Sequence, residues 1–509
     1  MNVVRNRAPQ QYRGFTIVEL LIVIVVIGIL ATIAVVGYNG VSQRATVALL
    51  QSELNGASKR LKIDQVESGA YPATTAAANN GVGLSVTSGI TYQYTVDNMV
   101  SPQTFCLTAT IGTVAYYITN NNSIPISGVC PGHIAPGAPS WQALSLGDNH
   151  SCGIVSSKAY CWGRNNLASV SQLGNGNTTN TKIPVPVSTS GVLSGKSVTA
   201  IDAGSAHTCV IAGGDPYCWG IGSSGQLGQG ASSSSSVPVA VTVSGVLSGK
   251  QVTALTAGGN HTCAIASGAL YCWGFNSSGQ LGDGSTTTRN APVAVSVAGV
   301  LAGKTVTAVS AGTDGTCAIA SGALYCWGSA AQGQNGDGTT VDSLLPVAVD
   351  TSGALSGKVP TDVARGNYHA CAVASGSAYC WGSNTNGALG VGFSPGANPV
   401  AVSTAGVLAG KTVQTITTGL YSTCAVADGV AYCWGSSTGD GTTNNAFAPV
   451  AVSTATGLAG KTVSLASKGT SHTCLMAGTE IYCWGAAVYG QLGDNATITR
   501  LEPSLVTNP

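Results

Sequence analysis

The sequence predicts an α+β amino-terminal part, one long helix with a small antiparallel sheet, followed by an all-β seven-bladed propeller over residues 141–509. Three observations carry this. Fourteen of the sixteen cysteines fall into seven C-x8-C pairs; seven tryptophans, Trp162 to Trp484, recur 50 to 57 residues apart; and a single apolar run follows a short basic start. The tryptophan spacing lies in the range of propeller blades.

Residues 1–14 carry three arginines and no acid. Residues 15–36 are then apolar except for Thr16, Glu19 and Thr32. As a helix, such a run reaches about 33 Å, enough to cross a bilayer's hydrocarbon core, and the arginines hold its amino-terminal side in the cytoplasm. No A-x-A-like site follows the run, so it is expected to stay in the mature protein. Glu19 costs about 2.5–3.5 kcal/mol near a bilayer centre and less near an end; it either snorkels to the interface or finds a partner. Val41, Ala45, Ala48, Leu49, Leu54, Leu61 and Ile63 alternate with polar residues, so the helix continues amphipathically and ends near Gly69, before Tyr71-Pro72. The stretch RGFTIVELLIVIVVIGILATIAV resembles the leader and first helix of type IV prepilins. That resemblance implies a leader at 1–14, cleavage by a prepilin peptidase between Gly14 and Phe15, and methylation of Phe15. It also implies that Glu19 pairs with the terminal amine of a neighbouring subunit, which sets register during assembly. Helix 15–69 would rest in the inner (cytoplasmic) membrane before assembly.

Runs 90–96, 104–111 and 114–119 read as strands. Cys106 and Cys130 bracket the last of them, fall outside the hairpin spacing and are paired with each other. Through residue 130 the resemblance continues as a pilin-like globular head over 70–130. Residues 131–140, PGHIAPGAPS, form a linker.

From Trp141 the repeat takes over. In HTCAIASGALYCWG, centred on Ser267-Gly268, the flanking residues pair off: Ala266 with Ala269, Ile265 with Leu270, Ala264 with Tyr271 and Cys263 with Cys272. A two-residue turn containing glycine suits the primed hairpin turns. Pairs alternate outward from a hydrogen-bonded first pair, so Cys263 and Cys272 face each other at a non-hydrogen-bonded site, about 4.5 Å apart at Cα. A disulfide spans that gap. The same arithmetic pairs Cys152 with Cys161, Cys209 with Cys218, Cys317 with Cys326, Cys371 with Cys380, Cys424 with Cys433 and Cys474 with Cys483. Each unit adds a strand ending at a glycine (147, 204, 258, 312, 366, 419 and 469), a loop such as NSSGQLGDG and a proline-led strand such as 292–296. H-T-C, Y-C-W-G and G-Q-L-G-x-G resemble RCC1-type repeats, which supports the propeller. Because the first unit starts at Trp141 and a proline-led strand, 503–506, ends the last, the two are expected to share one blade and lock the ring.

Composition narrows function. A formal net charge of +1 with 8% charged residues asks for no nucleic acid, and the cysteine usage points outside the cytosol. C-x8-C on paired strands is not a zinc spacing, and no C-x2-C occurs. GVLSGKS at 191–197 is one residue short of a phosphate loop and recurs as a turn. The G-D-G loops at Asp283, Asp337 and Asp440 offer oxygens for Ca²⁺ without clustered carboxylates. His150, His207, His261, His369 and His472 occupy one repeat position, with Gly315 and Ser422 in the other two units, and repetition by symmetry marks them as structural. No metal, cofactor or catalytic site is assigned. With only two glutamates in the propeller, Glu480 and Glu502, and no cluster of acids and histidines, the chain is read as no enzyme.

In nuclear proteins the RCC1 resemblance implies nucleotide exchange on a small GTPase, but a fold alone carries no function. The combined reading is a type IV pilin-like subunit, minor or at the tip, anchored by one helix and then extracellular. Its partners are other pilin subunits and an unidentified cell-surface glycan or protein, and its role is adhesion or partner recognition. The alternatives are a structural surface subunit without ligand and an extracellular enzyme or inhibitor module. Aligning the units on their first cysteine exposes four departures in units five to seven: Arg365, Tyr368, Tyr421 and Lys468. These are expected to project together towards a partner.

Overall fold

The computed structural model describes residues 44–79, 81–84, 87–98, 100–112, 114–128, 130, 140–167, 170–392, 396–403 and 406–509. The chain divides into two compact units, Met1–Ala138 and Pro139–Pro509. Gly14, Phe15, Glu19 and the expected spanning segment lie outside the described residues. Among those described, no helix is long and apolar enough to cross a membrane.

In the first unit, helix 44–68 ends where Gly69 turns to φ +82° and donates its N–H to Gln65 O. Its apolar positions recur at helical spacing, so Leu50, Leu54, Ala57 and Leu61 share one buried stripe. That stripe packs on an antiparallel sheet of β1 (Thr91–Asp97), β2 (Thr104–Ile111), β3 (Val114–Thr119) and β4 (Ile126–Ser127), in that order. Phe105, Leu107, Ala109 and Ile118 supply the sheet's side of the core. A disulfide joins Cys106 to Cys130, the two cysteines left outside the hairpin spacing.

The second unit holds seven four-stranded antiparallel sheets among its described residues, numbered first to seventh in chain order. The third sheet shows the pattern: inner strand Val252–Ala257, hairpin His261–Ala266 and Ala269–Gly274, outer strand Arg289–Ala294. The hairpin register is the one read from the sequence, Cys263 opposite Cys272 and Ala266 opposite Ala269. Ser267 and Gly268 both take positive φ, 52° and 74°, as a type I′ turn requires.

The other six hairpins repeat that register, and all seven C-x8-C pairs form disulfides within a single hairpin. Cys152 bonds to Cys161, Cys209 to Cys218, Cys263 to Cys272 and Cys317 to Cys326. Cys371 likewise bonds to Cys380, Cys424 to Cys433 and Cys474 to Cys483. Their Cα atoms stand 4.0–4.1 Å apart, somewhat closer than the spacing expected of a non-hydrogen-bonded pair. Both sulfurs of each pair are fully buried, so the staples belong to the core and not to the surface.

Successive sheets face each other across apolar layers. Between the third and fourth lie Cys263, Ile265, Leu270 and Cys272 from one side and Ala318, Ala320, Tyr325 and Trp327 from the other. Each of the seven tryptophans of Y-C-W-G is fully buried, and its indole N–H donates to a loop carbonyl of the preceding sheet at 2.9–3.0 Å, as Trp273 does to Gln226 O. The second glycine of G-Q-L-G lies flat on that indole: Gly282 has φ +67°, and a Cβ there would sit 2.7 Å from Trp327 Nε1.

Ring closure differs from the expected shared blade. The first sheet has its own outer strand, Thr181–Pro186, and residues 503–506 extend the outer strand of the seventh, Arg500–Leu505. Every sheet is thus one contiguous stretch of chain, because the unit runs inner strand, hairpin, outer strand rather than starting at the proline-led strand. The seventh sheet meets the first through packing and hydrogen bonds: Trp141, Leu144 and Trp162 against Met476, Ile481 and Leu492, with Trp141 N–H donating to Thr479 O.

Candidate recognition site

The inner strands converge at the glycines that end them. A Cβ on Gly258 would stand 2.5 Å from His261 Cε1 and closer still to Gly312 O, where real Cβ contacts stay beyond 3.0 Å. Every one of the seven glycines abuts the carbonyl of the next in this way, Gly469 returning to Gly147 O, and none has a positive φ. Glycine is needed here for space, not for conformation.

Beneath the glycines lies the repeated histidine. His207 Nε2 meets Thr262 Oγ1 of the next sheet at 2.9 Å, and Thr262 Oγ1 donates to Gln226 O at 2.9 Å. The hydroxyl has one proton and spends it on the carbonyl, so the imidazole must be the donor and carries its proton on Nε2. The same contact joins His150 to Thr208, His261 to Thr316, His369 to Thr423 and, across the closure, His472 to Ser151. Burial pushes these imidazoles down, to about 4 for His150 and about 3 for the other four, so they are neutral spacers between sheets.

Two of the four expected partner-binding residues belong to this ring and not to the surface. Arg365 is 4% exposed and Lys468 is 8% exposed. Arg365 occupies the space left where the fourth sheet has Gly315 for histidine and the fifth has Ala370 for threonine. A Cβ on Gly315 would lie 2.5 Å from Arg365 Nη2, and Nη1 donates to Gln334 O, the carbonyl that a threonine serves elsewhere. Lys468 fills the gap beside Ser422 of the sixth sheet, and its Nζ donates to Thr473 Oγ1 at 2.8 Å. Burial lowers both cations, Arg365 to about 9 and Lys468 to about 7. The signal for this was in the sequence: the two cations stand in units five and seven, each one unit after a unit without its histidine.

The two tyrosines remain at the surface. Tyr368 is 39% exposed, Tyr421 is half-buried, and their rings stack at 5.5 Å between centroids with planes 16° apart. They sit one residue beyond Asn367 and Leu420, which line an axial depression together with Asp148, Ser205, Thr313 and Thr470. Asp148 accepts from the hydroxyls of Thr470 and Ser205, and burial raises its pKa against those bonds. Deeper in, Asp202 accepts from Ser145 Oγ and from Ala257 N–H, and burial raises it as well.

Known proteins share these repeats and this fold. The Regulator of chromosome condensation (RCC1) repeat matches residues 157–211, 214–265, 267–319 and 321–373, and the prokaryotic N-terminal methylation motif matches residues 10–35. The chain carries RCC1 repeats behind a prokaryotic N-terminal methylation motif. Over 263 residues it is 32% identical to the ultraviolet-B receptor UVR8 of Arabidopsis thaliana, covering 50% of this chain and 55% of that protein. Over 345 residues it is 31% identical to the E3 ubiquitin-protein ligase HERC2 of Homo sapiens, covering 56% of this chain and 7% of that one. The chain thus spans about half the length of the first relative and a small part of the second. The crystal structure of Prp20p from Saccharomyces cerevisiae superposes with a TM-score of 0.58 at 18% identity, covering 73% of this chain and 87% of that one, which shows the shared fold.

Within the RCC1 repeats, two further sets of residues have local roles. Five of the six turn lysines that gave the near-match to a phosphate loop lie over the tyrosine of Y-C-W-G in the following sheet, as Lys250 does over Tyr271 at 4.8 Å. Sequence reading missed this pairing, although lysine and tyrosine keep one spacing in every unit that has both. The carboxylates of the G-D-G loops brace their own turns: Asp283 accepts from Ser285 N–H and pairs with Arg289, Asp337 accepts from Thr339 N–H and Asp440 from Thr442 N–H. Among the described residues no group of three or more His, Cys, Asp or Glu is placed to hold a metal.

Proposed function

We propose that this chain is an exported type IV pilin-like subunit, minor or at the tip, whose seven-bladed propeller is a recognition module for surface adhesion. The observation that carries the reading is the joining of an N-terminal methylation motif at 10–35 to a repeat unit with a disulfide in every sheet. Such a motif routes a protein to membrane export, and such cysteine usage persists only in an oxidising compartment. A 369-residue outer unit, 141–509, is awkward to repeat along a tightly packed shaft, which favours a minor or tip position. The exposed tyrosine pair beside the axial depression supports recognition over a purely structural role.

Two experiments test this. Gly14→Asp should abolish the mature amino terminus at Phe15 by mass spectrometry, and a Phe15 terminus that persists overturns the prepilin assignment. Immunogold labelling of isolated filaments should mark ends or sparse sites, and uniform shaft labelling overturns the minor-subunit assignment.

A further inference from the structure

The ring junctions and the disulfides are accounted for by packing, and the loop carboxylates are committed to their own turns. What remains without a structural task is the stacked pair Tyr368–Tyr421, which lies beside the polar mouth of the depression. At the same repeat position the other five sheets carry Asn149, Ala206, Asn260, Asp314 and Ser471. Tyr368 gives one ring face to its neighbour and leaves 39% of its surface in water, and among the described residues neither phenol hydroxyl has a hydrogen-bond partner. Leaving so much aromatic surface exposed is costly unless something covers it.

The surroundings select the ligand. The depression is lined at its mouth by short hydroxyl, amide and carboxylate side chains, with Leu420 as the apolar exception. The large exposed aliphatic and aromatic side chains a protein partner would seek, such as Leu345, Phe447 and Leu501, are on the outer strands instead. The two cations that reach the depression, Arg365 and Lys468, are tied into the junctions, whereas Asp148 and Asp202 face it with no cation on them among the described residues. A flat aromatic platform beside a ring of hydroxyl and carboxylate groups suits the two faces of a pyranose, one of C–H bonds and one of hydroxyls. With both cations committed to the junctions, no free cation among the lining residues remains to pair with the carboxylate of a sialylated chain.

We infer that the mouth of the axial depression, with Tyr368 and Tyr421 as its platform and Asn367, Thr313, Thr470 and Asp148 as its polar wall, is a binding site for a neutral or amino-sugar saccharide. This rests on the recognition reading above. A sugar ring stacks its C–H face on the tyrosines and directs its hydroxyls to the polar wall.

The test uses the full-length protein in detergent on an array of immobilised neutral, amino-sugar and sialylated oligosaccharides, with filament attachment to cultured cells measured in parallel. Wild-type protein should be retained by at least one neutral or amino-sugar arm and not by the sialylated arm. Tyr368→Ala/Tyr421→Ala should weaken retention at least tenfold with all eight disulfides intact by mass. Tyr368→Phe/Tyr421→Phe, which keeps the stack, should hold within about threefold. Retention by no saccharide, preference for the sialylated arm, or retention unchanged in the alanine pair each overturns the inference. Attachment to cells that needs the tyrosines but no saccharide leaves recognition standing and assigns the site to a protein. Absence of both attachment and retention in the wild type defeats the recognition reading itself.

Discussion

The buried lysine at the junction of the sixth and seventh sheets gives a prediction whose sign changes with pH. Lys468 ionises near 10.5 in an unfolded chain and at about 7 in the fold. A group whose folded pKa is depressed in this way, when its charged form is the cation, destabilises the fold below the unfolded pKa, and the penalty is relieved as pH rises. Worked from those two values, the cost is roughly 4 kcal/mol at pH 7 and roughly 1 kcal/mol at pH 9.5. Lys468→Ala removes that cost but leaves a cavity worth about 2 kcal/mol and takes away the donor to Thr473 Oγ1, worth about 1.5 kcal/mol. The single variant should therefore match wild type at pH 7 and fall about 2 kcal/mol below it at pH 9.5. Adding Ser422→His rebuilds the junction found at His207–Thr262 and His261–Thr316, where the position of Lys468 is held by Ala257 and Ala311. The double variant should exceed wild type by about 2–3 kcal/mol at pH 7 and equal it at pH 9.5, since a buried imidazole stays neutral throughout. Urea unfolding followed by the fluorescence of the buried indoles, at both pH values with disulfides intact, reads all three. Wild-type stability that is level between pH 7 and 9.5, together with no recovery from Ser422→His, refutes the assignment of Lys468 as a replacement for the missing histidine.

Three further outcomes are expected. Gly258→Ala places a methyl 2.5 Å from His261 Cε1 and should cost about 3 kcal/mol or more in urea, whereas Gly245→Ala, with open space around it, should cost under about 1 kcal/mol; equal effects would remove the axial packing argument. Cys263→Ala/Cys272→Ala should lower stability by about 2.5–3 kcal/mol, and non-reducing peptide mapping of the wild type should recover each propeller cysteine bonded within its own hairpin. Glu19→Gln should be processed at Phe15 yet fail to enter filaments, as counted by mass spectrometry of sheared fractions.

Local order is legible in the sequence and ring-level order is not. The hairpin register and the seven staples follow from residue spacing, because a two-residue turn leaves no freedom about which pairs face each other, and the Cys106–Cys130 bond follows from those two cysteines standing outside that spacing. The side chain of Arg365 is misread from sequence because alignment identifies an unusual position without saying which way it points. Its direction is set by a neighbouring sheet about fifty residues earlier, at Gly315. The closure is misread for a related reason. A repeat can be phased from any of its strands, and only pairing shows that Thr181–Pro186 belongs to the hairpin before it. The tyrosine stack lies between these cases: alignment marks the two residues, and their ring contact needs the fold.

Because each sheet is one unbroken stretch with its cysteines nine apart, a sheet has its whole hydrogen-bond ladder and its covalent tie as soon as some fifty residues are available. Wrong cysteine partners are then disfavoured by distance along the chain, since the right one is always the nearest in the same hairpin. A chain drawn out amino terminus first into an oxidising space can therefore complete its sheets one after another, and only the last step, docking the seventh onto the first, must wait for the carboxyl terminus. Among the contacts of longest chain separation in this order of events are those held by Ser151, Trp141, Trp162 and His472. Truncation beyond the sixth sheet would leave six finished sheets and an open arc, so quality control during export would have to act on ring closure rather than on disulfide formation.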